Sequence, residues 1–121
     1  MTNDTQQAIN KIHCSATSIE DLLNLLEDQR GIVRANVLFE LPNREISDDS
    51  GVVTALKEAA TNELSNVKLM GNVTQRKFAI ATLAWINGGS SKLAYDEMLD
   101  NCDEAEVEDI KYLVTQGPIS T

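Results

Sequence analysis

The chain is 121 residues long with 42% apolar and only 4% aromatic residues, enough for one core built from Leu, Ile, Val and Ala. Its 19 Asp and Glu against 10 Lys and Arg leave a formal net charge of −9, a field that repels phosphate backbones and anionic membranes and attracts cationic partners. Nucleic-acid and membrane binding are excluded on that balance, no apolar run approaches the roughly 20 residues of a membrane helix, and the chain reads as one cytoplasmic domain over residues 1–121.

Taken in order, Asp4 and Thr5 are placed to cap a first helix with Ala8, Ile9, Ile12 and Ala16 on one face. Ser18 with Asp21 comes close to a capping box for a second helix striped by Leu22, Leu23, Leu25 and Leu26. Gly31 loosens the chain, and a third helix carrying Val33, Val37, Leu38 and Leu41 stops at Pro42, which cannot continue it. After a polar connection from Asn43 to Asp49, Ser50 opens a fourth helix with Val52, Val53, Leu56, Ala59 and Ala60 inward.

Residues 64–72 either prolong that helix or form a loop, since Leu64, Val67, Leu69 and Met70 are apolar but Gly71 and Asn72 break the pattern. Asn72, with Gln75 three residues on, is the expected cap of a fifth helix that ends at Gly88-Gly89 after Trp85 and Ile86. Ser90 or Ser91 starts a sixth, whose apolar positions are Leu93, Ala94, Met98, Leu99 and Cys102. Asp103 with Glu106 makes another capping box, and the seventh helix runs to Gly117-Pro118. No segment alternates with the period of two that a strand needs, so the expected fold class is all-α.

A loose repeat organises these helices. Superposing Arg34 on Arg76 puts Val37 on Ala79 and Leu41 on Leu83, an offset in the range of helical-pair repeats. Val33-Arg34 with Leu41, and Gln75-Arg76 with Ala79, Leu83 and Ile86, resemble the HEAT-like repeats of the phycobilisome-lyase type. The second copy departs at Gln75, where the family has Val, and the third copy has Glu108 where the family carries Arg. The resemblance covers roughly Ser18 to Gln116 and implies a short right-handed α-solenoid of about seven helices, an N-terminal cap helix followed by three antiparallel pairs. It also implies that Arg34 and Arg76 are structural, bonding loops or neighbouring repeats, with Asp28 as a partner for Arg34. One pair cannot bury its own apolar stripe, so the pairs must stack, and a short solenoid offers mostly surface.

The chemistry-bearing stretch is Asp96, Glu97, Asp100, Asp103, Glu104, Glu106, Glu108 and Asp109, with no Lys, Arg or His between them. Asp103, Glu104 and Glu106 fall in the first turn of the seventh helix, where negative charge suits the helix dipole. Asp96, Glu97 and Asp100 share the outer side of the sixth helix, and Glu108, Asp109 and Tyr112 that of the seventh. A solvated face is the plain reading of such a run. An aromatic flanked by carboxylates is also an anchor for a basic partner, because Tyr is enriched at binding hot spots and the charges speed encounter.

No metal or cofactor is expected. Read as a calcium loop, Asp100 to Lys111 has Ala105 where the sharp turn needs Gly and Lys111 where a bidentate acid belongs. His13-Cys14 are neighbours that point about 100° apart on a helix, and there is no second His to complete a site. Cys14 and Cys102 read as reduced, buried thiols, and Trp85 as core. No phosphate loop, nucleophile elbow or zinc spacing occurs, so the chain is not expected to be an enzyme, and the basic cleft of the HEAT-like DNA glycosylases has no residues to build it.

The expected function is protein binding, in its most concrete form an immunity or antitoxin protein that plugs the basic cleft of a nuclease toxin, by analogy with bacterial immunity proteins of similar build. Its partner-binding residues are expected to be Asp96, Glu97, Asp100, Glu108, Asp109 and Tyr112. The alternative is a HEAT-like adaptor in a larger complex, which would present an apolar groove or oligomerise.

Overall fold

The computed structural model describes residues 3–46 and 49–117. In chain order these form helices α1 (Asn3–Ile12), α2 (Ile19–Leu25) and α3 (Gly31–Glu40), a 3-10 turn (Leu41–Asn43), helix α4 (Ser50–Thr61), strands β1 (Lys68–Met70) and β2 (Val73–Thr74), and helices α5 (Gln75–Ile86), α6 (Gly89–Asp100) and α7 (Glu104–Gln116). The protein is thus mostly helical, with one two-stranded antiparallel sheet. No helix among the described residues is long and apolar enough to cross a membrane.

Several boundaries follow from local chemistry. Ser18 Oγ accepts from the amide of Asp21, and an Asp103 carboxylate oxygen accepts from the amide of Glu106 at 2.8 Å, each satisfying a first-turn donor that has no partner within the helix. Pro42 sits inside the 3-10 turn that closes α3. The third helix buries Val33, Val37 and Leu38, with Leu41 in the turn after it, and the fourth buries Val52, Leu56, Ala59 and Ala60. Gly117 takes φ 76° after the last residue of α7, a conformation open to glycine, while Pro118 lies outside the described residues.

Other boundaries differ from expectation. Asp4 and Thr5 lie within α1, which ends at Ile12, and Ala16 is exposed in the following turn, where Thr17 Oγ1 donates to the carbonyl of Lys11. Between α4 and α5 the chain is neither helix nor loop throughout but a hairpin, whose turn has Gly71 at φ 56°. That is the first central position, as a type II′ turn requires. Because Val73 and Thr74 form β2, the cap of α5 moves from Asn72 to Thr74, whose Oγ1 accepts from the amide of Lys77. At the far end of α5 it is Asn87, φ 54°, that takes the left-handed conformation, leaving Gly88 as the cap of α6. Gly88 donates its amide to Ser91 Oγ at 2.6 Å, and the Asp49 carboxylate accepts from the Ser91 amide at 2.8 Å, so α6 starts at Gly89 with a cap from a distant residue. The Asp49 carboxylate lies so close to Gly88 that a Cβ there has no room.

Helix α5 is the centre of the molecule. Gln75 and every residue from Phe78 to Leu83 are buried, and the helix packs on α3, α4, α6 and α7. Its alanines let neighbours approach from several sides, which is how a helix with no single polar face is accommodated. Bonds between helices set the directions. Arg34 meets Gln75 and the carbonyl of Leu38 meets Thr82, while Arg76 meets Glu106 and Trp85 Nε1 donates to the carbonyl of Val114, so α3, α5 and α7 run the same way. The C-terminal carbonyl of Ala60 reaches Arg76, so α4 runs opposite to α5. The bonds Asp49 to Ser91 and Lys57 to Glu97 set α6 parallel to α4. α6 and α7, paired in the sequence reading, each rest chiefly on α5.

The core is aliphatic around Ile12, Leu22, Leu38, Leu56, Ile80 and Ile110, as the composition requires. Of the chain's five aromatics (one Trp, two Tyr, two Phe), three nonetheless gather at its middle. Phe78 meets Phe39 edge-on at 4.5 Å and Trp85 edge-on at 6.1 Å, and Phe39 stacks with Trp85 at 6.4 Å.

Candidate functional site

Arg34 and Arg76 both turn inward. Arg34 is 2% exposed; its Nε donates to Gln75 Oε1 at 2.6 Å and Nη1 to the main-chain carbonyl of Asp28 at 2.7 Å. Burial pulls the guanidinium below its usual pKa, with Asp28 opposing. The Asp28 carboxylate, expected to face Arg34, instead grips Arg30 through two side-chain bonds of 2.9 Å and one from the Arg30 amide. Arg76 follows the same plan: Nε donates to Glu106, Nη1 to the carbonyl of Ala60 and Nη2 to Cys102 Sγ. Each arginine therefore joins the end of the preceding helical segment to the first turn of a later helix. Glu106 is drawn to Arg76 rather than back to its own helix cap, which removes one of the eight carboxylates from the surface.

These bonds imply an acid-sensitive element. The Arg30 side chain, then the Arg30 amide, hold the Asp28 carboxyl at about 2 against 3.8 for a free group. A depressed carboxyl stabilises the fold above the unfolded value and loses that contribution as pH falls through the folded one. The stability difference between the native chain and Asp28→Asn is expected to hold at neutral pH and to shrink between about pH 4 and pH 2. Urea unfolding across that window checks it, and a gap independent of pH would contradict it.

His13 is more engaged than a surface imidazole. Its Nδ1 lies 3.0 Å from Glu40 and its Nε2 2.8 Å from Asn36, while Arg44 bonds Glu40 and the carbonyls of Ile12, Cys14 and Thr17, tying α1 to α3. Neither cysteine is in a disulfide, and neither is fully buried: Cys14 is exposed and Cys102 half-buried. Burial first, then the Glu106 carboxylate, push the Cys102 thiol above its usual value, which disfavours the nucleophilic thiolate. Trp85 packs against the core as expected. Among the described residues no three His, Cys, Asp or Glu gather as a metal site.

The six expected contact residues are all exposed, Asp96, Glu97 and Asp100 on α6 and Glu108, Asp109 and Tyr112 on α7. No hydrogen bond or ion pair among the described residues links the two groups. The acidic run is less bare than the sequence suggests, because cations arrive from other helices: Lys57 on α4 reaches Glu97 and Lys77 on α5 reaches Asp109, both at 2.7 Å. Asp96, Asp100, Glu104 and Glu108 make no ion pair among the described residues.

Tyr112, at 68% exposure, stands beside an open groove of about 300 Å³ lined by Asn72, Val73, Lys77, Asp109, Tyr112 and Leu113. The hairpin supplies Asn72 and Val73, the start of α5 Lys77, and α7 Asp109, Tyr112 and Leu113. Sequence reasoning found Asp109 and Tyr112 but missed Asn72 and Val73, which the hairpin brings beside α7, and Lys77, which the packing of α5 on α7 brings there. Leu93, one of the apolar positions of α6, is 72% exposed. No protein-family model, curated protein or solved structure matches the chain.

Proposed function

We propose that the chain is a protein-binding module that neutralises a basic partner, most concretely an immunity protein for a nuclease-type toxin, and that its helices stack as a short right-handed HEAT-like solenoid. The observation that carries the binding reading is Tyr112, a large aromatic 68% exposed on the acidic helix α7 and beside a groove. Tyr is enriched at binding hot spots, and a groove beside it offers a partner a place to pack. The net charge of −9 supports a cationic partner, and a nuclease must present a positive, phosphate-binding cleft. The half-buried Cys102 thiol, its pKa raised, and the structural engagement of His13 support binding rather than catalysis. The common direction of α3, α5 and α7, opposed by α4 and α6, supports an alternating stack, with Arg34 bridging α3 to α5 and Arg76 bridging α5 to α7, although α6 and α7 do not pack as a pair.

The exposed Leu93 favours a second reading, an adaptor that joins a larger assembly through α6. Purifying the tagged chain from its native cells and assaying what co-purifies separates them. A basic protein whose nuclease activity the chain inhibits supports immunity; a multi-subunit, non-catalytic assembly supports the adaptor; a chain with no partner sinks both.

Once the partner is in hand, reversing the unpaired charges with Asp100→Lys and Glu108→Lys is expected to slow association roughly tenfold at low salt, an effect that fades as salt rises. Stopped-flow rates measure it. An unchanged on-rate removes the acidic surface from the binding reaction.

A further inference from the structure

The groove beside the hairpin has a chemistry of its own. At about 300 Å³ it sits at the lower end of the range for small-molecule sites, roughly 300 to 1,000 Å³. Because it is open along one side, it suits a side chain presented by another protein better than an enclosed small ligand. Val73, Leu113 and the Tyr112 ring make its apolar surface. Its own cation is already used, since Lys77 lies folded against Asp109 with Nζ to Oδ2 at 2.7 Å and only 21% of the side chain exposed.

Beyond that neutral pair the nearby charges are of both signs: Lys111 beside Tyr112 on α7 and Lys68 on the hairpin are exposed and in no ion pair among the described residues, and so are two carboxylates on the Tyr112 side of α7. Glu108 lies one helical turn before Tyr112 on α7 and Glu104 one turn before that, both exposed and neither in an ion pair among the described residues. Along the line Glu104, Glu108, Tyr112 the approach to the apolar slot is acidic, and with the chain's net charge of −9 this favours a cationic segment on that side.

We infer that this groove receives a large apolar or aromatic side chain carried on a basic segment of the partner, with the flanking Lys or Arg residues running past Glu108 and Glu104. The inference rests on the basic-partner reading and adds where affinity, as distinct from encounter rate, is generated. Apolar burial in the groove slows dissociation, while the dispersed carboxylates speed association.

The test uses the intact chain and three short synthetic peptides: one Lys-rich with a central Leu-Phe, its Ala-Ala counterpart, and a Glu-rich peptide with the same Leu-Phe. Fluorescence anisotropy reads affinity and amide chemical-shift changes read location. The Lys-rich Leu-Phe peptide is expected to bind about tenfold tighter than its Ala-Ala counterpart, the value of one partly buried apolar side chain, with shifts at Val73, Tyr112 and Leu113. Tyr112→Ala, a change at a position 68% exposed whose fold is checked by circular dichroism, is expected to bring the two Lys-rich peptides to equal affinity. Equal binding of the two by the native chain overturns the groove assignment and leaves the basic-partner reading standing. Binding of neither overturns both. Equal binding of the Glu-rich Leu-Phe peptide overturns the charge of the occupant, and concentration-dependent dimerisation abolished by Tyr112→Ala replaces the partner with a second copy of this chain.

Discussion

Gln75→Leu is expected to lower the stability of the chain by about 3 kcal/mol, although it replaces a polar side chain in the core with an apolar one of similar size. Gln75 is 1% exposed and bonds in two directions: its Oε1 accepts from Arg34 Nε at 2.6 Å and its Nε2 donates to the carbonyl of Ala59 at 2.9 Å. Leucine restores neither bond. The Ala59 carbonyl at the end of α4 loses a donor, and the guanidinium of Arg34, itself 2% exposed, is left with the Asp28 carbonyl as its one remaining hydrogen-bond acceptor among the described residues. An unpaired buried cation costs more than the net value of the bond it loses, because its hydration was given up on folding. At about 4 °C per kcal/mol for a chain of this length, the melting temperature should fall by roughly 12 °C. Adding Arg34→Met removes the stranded charge, so the double variant is expected to be more stable than the sum of the single losses implies. Strict additivity in denaturant unfolding would mean that the two side chains do not act as a unit.

Phe78→Ala is expected to cost still more, about 4 kcal/mol, from the loss of buried surface and the cavity left behind. Phe78 is fully buried on α5 and meets both Phe39 and Trp85 edge-on, so its removal empties the centre of the aromatic cluster. The neighbours cannot readily close the gap, since Trp85 is held through its Nε1 bond to the Val114 carbonyl. Phe78→Leu, which keeps most of the volume, should recover a large part of the loss. Chemical denaturation gives the magnitude and the near-ultraviolet circular dichroism of Trp85 reports its packing. A loss near 1 kcal/mol would place Phe78 outside the core.

The two variants divide what was legible from what was not. Phe78 lies inside a strongly apolar helix, and its burial follows from the pattern around it. The importance of Gln75 does not. In the repeat comparison Gln75 stands out as a departure, a polar residue where the HEAT-like pattern has Val, and only the packing of α3 beside α5 makes it the acceptor for Arg34, 41 residues earlier. The hairpin was hidden for a different reason: strands of three and two residues are too short to display alternation. Once formed it takes Thr74 as the helix cap, carries Asn72 into its turn, and creates the groove against Tyr112.

By itself the sequence determined the helical character, the aliphatic core, the caps at Ser18 and Asp103, the stop at Pro42 and the acidic outer faces of α6 and α7. These depend on residues within one or two turns of each other, so local hydrogen bonding and periodicity specify them. Tertiary structure alone decided that α5 is the common support, that Lys57 and Lys77 neutralise Glu97 and Asp109, that the Asp49 carboxylate caps α6, and that Val73 and Lys77 face Tyr112 across a groove. Those pairings join residues more than 30 apart in the chain. Packing brings such charges and apolar faces together only after each helix has chosen its neighbours, and no local pattern encodes that choice.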